Sequence, residues 1–205
     1  MSQAYNDKGT NRLFPVFLKL EHLSVLIVGG GKIGLEKLSA ILSNSPGTNI
    51  KLVSITISKE VRKLAANYPN LELKEGAFLP SDVDDKDVVI IAIDDKKESS
   101  RIRDIVKEKK KLVNVADKPE LCDFYMGSIV QKGNLKIGIS TNGKSPTIAK
   151  RLKDLFNELL PEEIDELLDN MQEIRNKLKG DFADKVNQLN AITKEFVLDK
   201  KEGRK

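Results

Sequence analysis

The stretch VLIVGGGKIGLEKL, residues 25–38, constrains the fold of this chain more than any other. The apolar run SVLIV meets Gly29, Gly30 and Gly31 without a spacer, and Gly34, Leu35, Leu38, Ile41 and Leu42 then recur at helical spacing. An apolar run without alternation suits a strand covered on both faces, as in the middle of a parallel sheet. NSPGTN closes the helix with turn residues, and IKLVSITI supplies a second strand. Strand, glycine turn, helix and strand together make a βαβ unit of the length that a right-handed parallel crossover needs.

The alternation continues with a helix over about residues 59–67, a short strand LELKE, the apolar DVVIIAI, a helix over about residues 98–110, and KLVNVA. This order predicts an α/β fold with a Rossmann-like, doubly wound parallel sheet. Ahead of it, LFPVFLKLEHL reads as a short extended segment and turn. The pattern changes after Asp117. GSIVQKGNLKIGIST reads as two short strands joined at Lys132, Gly133 and Asn134. Three amphipathic helices follow, with stripes Ile148-Leu152-Leu155-Phe156-Leu159, Ile164-Leu167-Leu168-Met171-Ile174-Leu178 and Phe182-Val186-Leu189-Ile192-Phe196, and DKKEGRK reads as a frayed tail. The expected division is a nucleotide-binding domain over residues 1–116, a small β region over 117–145 and a helical C-terminal region over 146–205. So small a hairpin with helices does not readily make a core alone, so a homodimer that shares them is expected.

Composition narrows the class. Hydrophobic residues make up 40% and charged residues 32%, and 35 basic residues are interleaved with 31 acidic ones for a net charge of +4. This balance, without an aromatic stacking motif or a basic stripe, argues against nucleic acid as a partner. The first dozen residues lack an apolar leader and no run approaches the ~20 residues that span a bilayer, so the expectation is a cytoplasmic protein with no membrane partner. Cys122 is the only cysteine and His22 the only histidine, which leaves no Cys/His metal cluster within one chain. Cys122 reads as a small buried side chain, His22 as a surface or packing residue, and KEKKK at residues 107–111 as the solvated end of a helix.

Gly29, Gly31 and Gly34 fit G-x-G-x-x-G in the strand-to-helix context that gives the pattern meaning. The first permits the tight turn, the second lets the backbone approach a pyrophosphate, and the third allows helix and strand to pack closely. Many such sites hold the adenosine ribose with an acid at the end of the second strand. Here that strand ends ITISKE: Thr56 and Ser58 offer hydroxyls, Glu60 lies slightly beyond, and Lys59 and Arg62 would favour a 2′-phosphate. NAD and NADP both stay open on these residues alone.

Asp117, in NVADKPE, lies just past the carboxyl end of a strand, where open α/β sheets put their ligands. It is either a general base or a turn aspartate before Pro119. Asp94 and Asp95 follow VVIIAI and suit the cap of the next helix. Ser128 is a strand-opening hydroxyl. Ser145, before Pro146, suits a helix N-cap. Asn142, Lys144 and Ser145, with Lys150 and Arg151 one turn on, would also present N–H groups and positive charge to carboxylates of a ligand.

LFPVFLKLEHLSVLIVGGGKIGLEK, VVIIAIDD, LVNVADKPELCDFYMGSIV and STNGKSPTIAKRLK, taken in order from about Leu13 to Leu160, resemble the precorrin-2 dehydrogenase family of sirohaem synthesis. That family includes the N-terminal dehydrogenase and ferrochelatase module of the fused sirohaem synthases. The resemblance implies NAD as cofactor, the acidic tetrapyrrole precorrin-2 as substrate and sirohydrochlorin as product, followed in some members by insertion of ferrous iron. It also implies a homodimer made of a Rossmann domain, a small β dimerisation region and a helical C-terminal region. Residue by residue, it places Gly29, Gly30, Gly31, Lys32, Ile33, Gly34, Ile55, Thr56 and Asp94 at the dinucleotide. It puts Asp117 at the chemistry and assigns Ser128, Asn142, Lys144 and Ser145 to the substrate, with no resident metal. Contacts at Ile55 and Thr56 would replace the missing acid. A different class, an NAD-sensing regulatory module with a partner-binding helical tail, is compatible with the glycines and helices but gives no reason for NVADKP, GSIV and NGKSPTIAK to occur together.

Overall fold

The computed structural model describes residues 10–198, except the side chains of residues 182 and 192–198. The leader before residue 10, the tail after Leu198 and the Phe182, Ile192 and Phe196 members of the last helical stripe lie outside the described residues. The chain divides into two compact units, Met1–Met126 and Gly127–Lys205.

The first unit is built on five parallel strands: β1 (Ser24–Gly30), β2 (Asn49–Ile57), β3 (Leu71–Glu75), β4 (Val88–Ile91) and β5 (Leu112–Val115). Their order is β3-β2-β1-β4-β5. Helices α1 (Lys32–Asn44), α2 (Lys59–Ala65) and α3 (Lys96–Glu108) connect them. Successive side chains of a strand point to opposite faces. On β1, Val25 and Ile27 therefore pack with Leu38, Ile41 and Leu42 of α1 and Val61 of α2, while Leu26 and Val28 pack with Ile102 and Val106 of α3. Because both faces are covered, VLIV, after Ser24, has no polar position until the glycines.

This is the doubly wound architecture expected. The chain steps outward from β1 to β2 to β3, then returns to place β4 on the other side of β1. The connections from β1 and β4 thus leave in opposite directions, opening a crevice at the carboxyl ends of these strands. Leu20–His22 form a short 3-10 turn before β1, and no regular element covers residues 13–18.

The first unit extends beyond Asp117, where the sequence pattern changes, because the following segment folds back on β5. The Asp123 N–H donates to the Val113 carbonyl at 2.8 Å, the Val113 N–H donates to Asp123 Oδ2 at 3.0 Å, and the buried Asn114 amide donates to the Phe124 carbonyl at 2.8 Å.

In the second unit, β6 (Ser128–Lys132) and β7 (Leu135–Ile139) form the antiparallel hairpin. Helices α4 (Pro146–Leu159), α5 (Ile164–Lys177) and α6 (Phe182–Leu198) follow. The hairpin turn is held by α5, whose Asp165 carboxylate accepts from the Asn134 N–H at 2.6 Å. Among the described residues, no helix is long and apolar enough to cross a membrane.

Candidate functional site

The glycine turn brings three elements into contact. A Cβ on Gly29, whose φ is +119°, would stand 2.2 Å from the Ala92 carbonyl oxygen, just past β4. On Gly34 it would stand 2.0 Å from the Gly29 carbonyl oxygen, and on Gly30 it would stand 3.0 Å from that of Thr56. At Gly31 the same test meets nothing within 4 Å. Gly31 is also the N-cap of α1 and supplies no side-chain cap to the first N–H groups of the helix. Open backbone at the start of a helix thirteen residues long is what a pyrophosphate requires. These residues fit a dinucleotide.

The carboxyl end of β2 is irregular. Val28 pairs with Val53 and Gly30 with Ile57, so Gly29 alone faces Ser54, Ile55 and Thr56. The bulge pushes Ile55, which is 77% exposed, and Thr56 out of the ladder beside the glycine turn. The Ser58 N–H, donating to the Gly30 carbonyl at 3.0 Å, closes the bulge against the turn. Ser58 Oγ caps α2 by accepting from the Val61 N–H at 3.3 Å.

One residue not anticipated from the sequence is also found here. Glu75, the last residue of β3, accepts from the Ile57 N–H at 3.4 Å through Oε1 and from Arg62 Nη2 at 2.6 Å through Oε2. The Arg62 guanidinium, and then the Ile57 N–H, hold its carboxyl below the usual carboxylate range.

On the other side of β1, a cleft of about 420 Å³ is lined by Ile33 of α1, Asp94, Lys96, Asp117, Lys118 and Glu120, among others. The structure thus brings Ile33, Asp94 and Asp117 together. Asp117 is exposed and adopts a left-handed backbone with φ 58°. Its turn is pinned on both flanks. The Ala116 N–H donates to the Ile91 carbonyl at 2.9 Å, and Lys118 Nζ donates at 2.9 Å to Ser99 Oγ, a fully buried hydroxyl on α3 that itself donates to the Asp95 carbonyl at 2.6 Å. Asp95, rather than Asp94, caps α3 by accepting from the Glu98 N–H at 2.9 Å, which leaves Asp94 on the cleft. Sequence spacing carried no sign of the Lys118–Ser99 bond.

Cys122 is half-buried, with Sγ donating to the Val115 carbonyl at 3.2 Å, and burial pushes its thiol up. A thiol held this way serves packing rather than nucleophilic chemistry. His22 is exposed on the turn before β1.

The remaining candidates belong to the second unit. Ser128 opens β6 opposite Ile139. Asn142, with φ 53°, and Lys144 lie in a tight loop that Thr141 and Ser145 close, the Ser145 N–H donating to Thr141 Oγ1 at 3.2 Å. Ser145 caps α4, its Oγ accepting from the Ile148 N–H at 3.2 Å, with Pro146 in the first helical position. Lys150 and Arg151 on α4 are exposed.

Comparison with known proteins adds to this geometry. A family model described as putative NAD(P)-binding matches residues 16–128, more than half of the 205-residue chain. The chain belongs to this NAD(P)-binding family. A second model, described as sirohaem biosynthesis protein central, matches residues 132–159. The chain is 35% identical over 176 residues to a siroheme synthase of Psychrobacter cryohalolentis, covering 86% of this chain and 32% of the relative. It is 32% identical over 171 residues to a siroheme synthase of Thioalkalivibrio sulfidiphilus, covering 83% of this chain and 34% of the relative. The chain therefore spans about a third of the length of these relatives. A solved structure titled SirC, precorrin-2 dehydrogenase, superimposes with a TM-score of 0.70 at 24% identity, covering 88% of this chain and 89% of that one. The fold is shared across nearly its whole length, and the sirohaem-synthesis resemblance drawn from the sequence blocks is borne out.

Proposed function

We propose that this chain is an NAD-dependent precorrin-2 dehydrogenase, which converts precorrin-2 to sirohydrochlorin in sirohaem synthesis. The observation that carries the reading is the cleft lined both by Ile33, from the first turn after the glycines, and by Asp117, from the turn after β5. Siroheme synthases among the relatives and the precorrin-2 dehydrogenase fold support the choice of substrate. Bound NAD supplies a hydride acceptor. Oxidation of the macrocycle removes one hydride and one proton, and the Asp117 carboxylate takes the proton. Lys118, anchored on Ser99, keeps the Asp117 turn fixed while this occurs. Ile55 and Thr56, displaced by the bulge, line the adenosine end, and Asp94 lines the cleft beside the turn of Asp117.

In the second unit, Ser128, Asn142, Lys144 and Ser145 serve the acidic tetrapyrrole, and the hairpin and C-terminal helices form a homodimer. The dimer is supported by the exposed Ile148, Leu155 and Leu159, which recur on one face of α4. Ferrous iron is proposed as a second substrate, inserted into sirohydrochlorin with Asp117 receiving pyrrole protons, in the cytoplasm.

The test is an anaerobic assay with purified protein, NAD and precorrin-2, followed by the appearance of NADH and of the sirohydrochlorin spectrum, then continued with ferrous or cobaltous ion. Dehydrogenation without loss of the sirohydrochlorin spectrum on adding metal would confine the protein to the first step. NAD binding without turnover would refute the enzyme reading.

A further inference from the structure

The structure points to Glu75 and Arg62 as the pair that sets the choice between NAD and NADP, an inference that rests on the dinucleotide site proposed above. In a Rossmann-type site, the residue that meets the adenosine ribose 2′-oxygen stands at the carboxyl end of the second strand. Here β2 carries no acid at that place, but Ile57, its last residue, hydrogen-bonds Glu75 Oε1 at 3.4 Å, and Ser58 is tied to the Gly30 carbonyl at 3.0 Å. The third strand therefore delivers a carboxylate one hydrogen bond from the position the second strand leaves without one. The parallel register makes this possible: Ser54 pairs with Glu75, and the bulge that follows Ser54 turns Ile57 back toward the end of β3.

Arg62, read from sequence as a possible partner of a 2′-phosphate, is held instead by Glu75 at 2.6 Å. Lys59, in the first turn of α2, and Lys63, directly after Arg62, are the other cations of that segment, and both are exposed. Glu75 thus acts twice against a 2′-phosphate. It sets a negative charge where the phosphate would lie, and it satisfies the guanidinium that would otherwise bind it. A 2′-hydroxyl carries no charge and can donate to the carboxylate, so NAD avoids both penalties.

Opposite effects from two touching residues provide the test. Dissociation constants of NAD and NADP are measured by calorimetry at low ionic strength, where surface charges are least screened, for wild type, Glu75→Gln, Arg62→Gln and the double variant, with circular dichroism to verify the fold. Wild type is expected to prefer NAD. Glu75→Gln frees Arg62 and should shift the NADP-to-NAD affinity ratio toward NADP by about fivefold, Arg62→Gln should shift it away by a similar factor, and the double variant should lie near wild type. If Glu75→Gln does not fold, the Arg62→Gln shift alone decides. An unchanged ratio in the folded single variants overturns this proposal and leaves the dinucleotide site standing. Failure of wild type to bind either dinucleotide overturns both.

Discussion

Gly34 packs against Gly29 so closely that a Cβ on Gly34 would lie 2.0 Å from the Gly29 carbonyl oxygen, whereas a Cβ on Gly31 would meet nothing within 4 Å. The two glycines therefore fail differently when replaced. Gly34→Ala drives α1 away from β1 and should destabilise the fold by about 2 kcal/mol or more, read as a lowered Tm. Gly31 has φ −89°, which alanine tolerates, so Gly31→Ala should keep its Tm and instead lose NAD affinity, because the methyl group occupies the approach of the pyrophosphate. Calorimetry together with thermal unfolding separates the two outcomes.

Asp82 lies 3% exposed between Lys74, at 2.8 Å, and Lys51, at 3.0 Å, and also accepts from the Leu79 N–H at 2.9 Å. Burial pushes its carboxyl up, but Lys74, the Leu79 N–H and Lys51 outweigh this and hold it below the usual carboxylate range. A carboxyl whose folded pKa is depressed contributes stability that is fully present above its unfolded pKa, near ~4, and is lost as pH falls through the folded value. Asp82→Asn leaves the two partly exposed ammonium groups facing each other and should cost about 2 kcal/mol at neutral pH. The difference in Tm between wild type and Asp82→Asn should shrink as pH is lowered below ~4. A difference independent of pH would refute the ionic account.

Lys118 holds the Asp117 turn through Ser99 and is expected to act by positioning. Lys118→Met should lower kcat about tenfold with the Kd for NAD unchanged, since loosening a reacting group costs rate more than binding. Lys118→Arg, which retains a donor, should recover part of the loss. A rise in the Kd for NAD with unaltered kcat would place Lys118 at the cofactor instead.

Those parts of the fold written in local pattern were legible in the sequence. The run SVLIV, the glycines and the stripe Leu38-Ile41-Leu42 announce β1, the turn and α1, because burial on both faces and helical period leave their mark on neighbouring residues. LELKE is β3 to the residue. Ends were less legible. The helix expected from about Glu98 begins at Lys96 because Asp95 is the cap, and the helix expected to reach Asn67 ends at Ala65, where Asn67 and Tyr68 turn back onto Leu64 and Ala65. The bulge at Ile55 and Thr56 left no trace, since SITI keeps the polar–apolar alternation of a strand through it. Glu75 was missed for the same reason: its role depends on which strand lies beside β2, and that information is held in the strand order, not in the residues around it.

The proposed role of Asp117, removing the proton that accompanies hydride transfer to NAD, is decided by anaerobic single-turnover formation of NADH with precorrin-2, comparing wild type with Asp117→Asn and Asp117→Ala under saturating NAD. Wild type should give a burst of NADH matched by sirohydrochlorin, both variants a rate at least ~100-fold lower, and all three the same Kd for NAD. Wild-type rates in the variants, or rates lost together with NAD binding, would rule out Asp117 as the base.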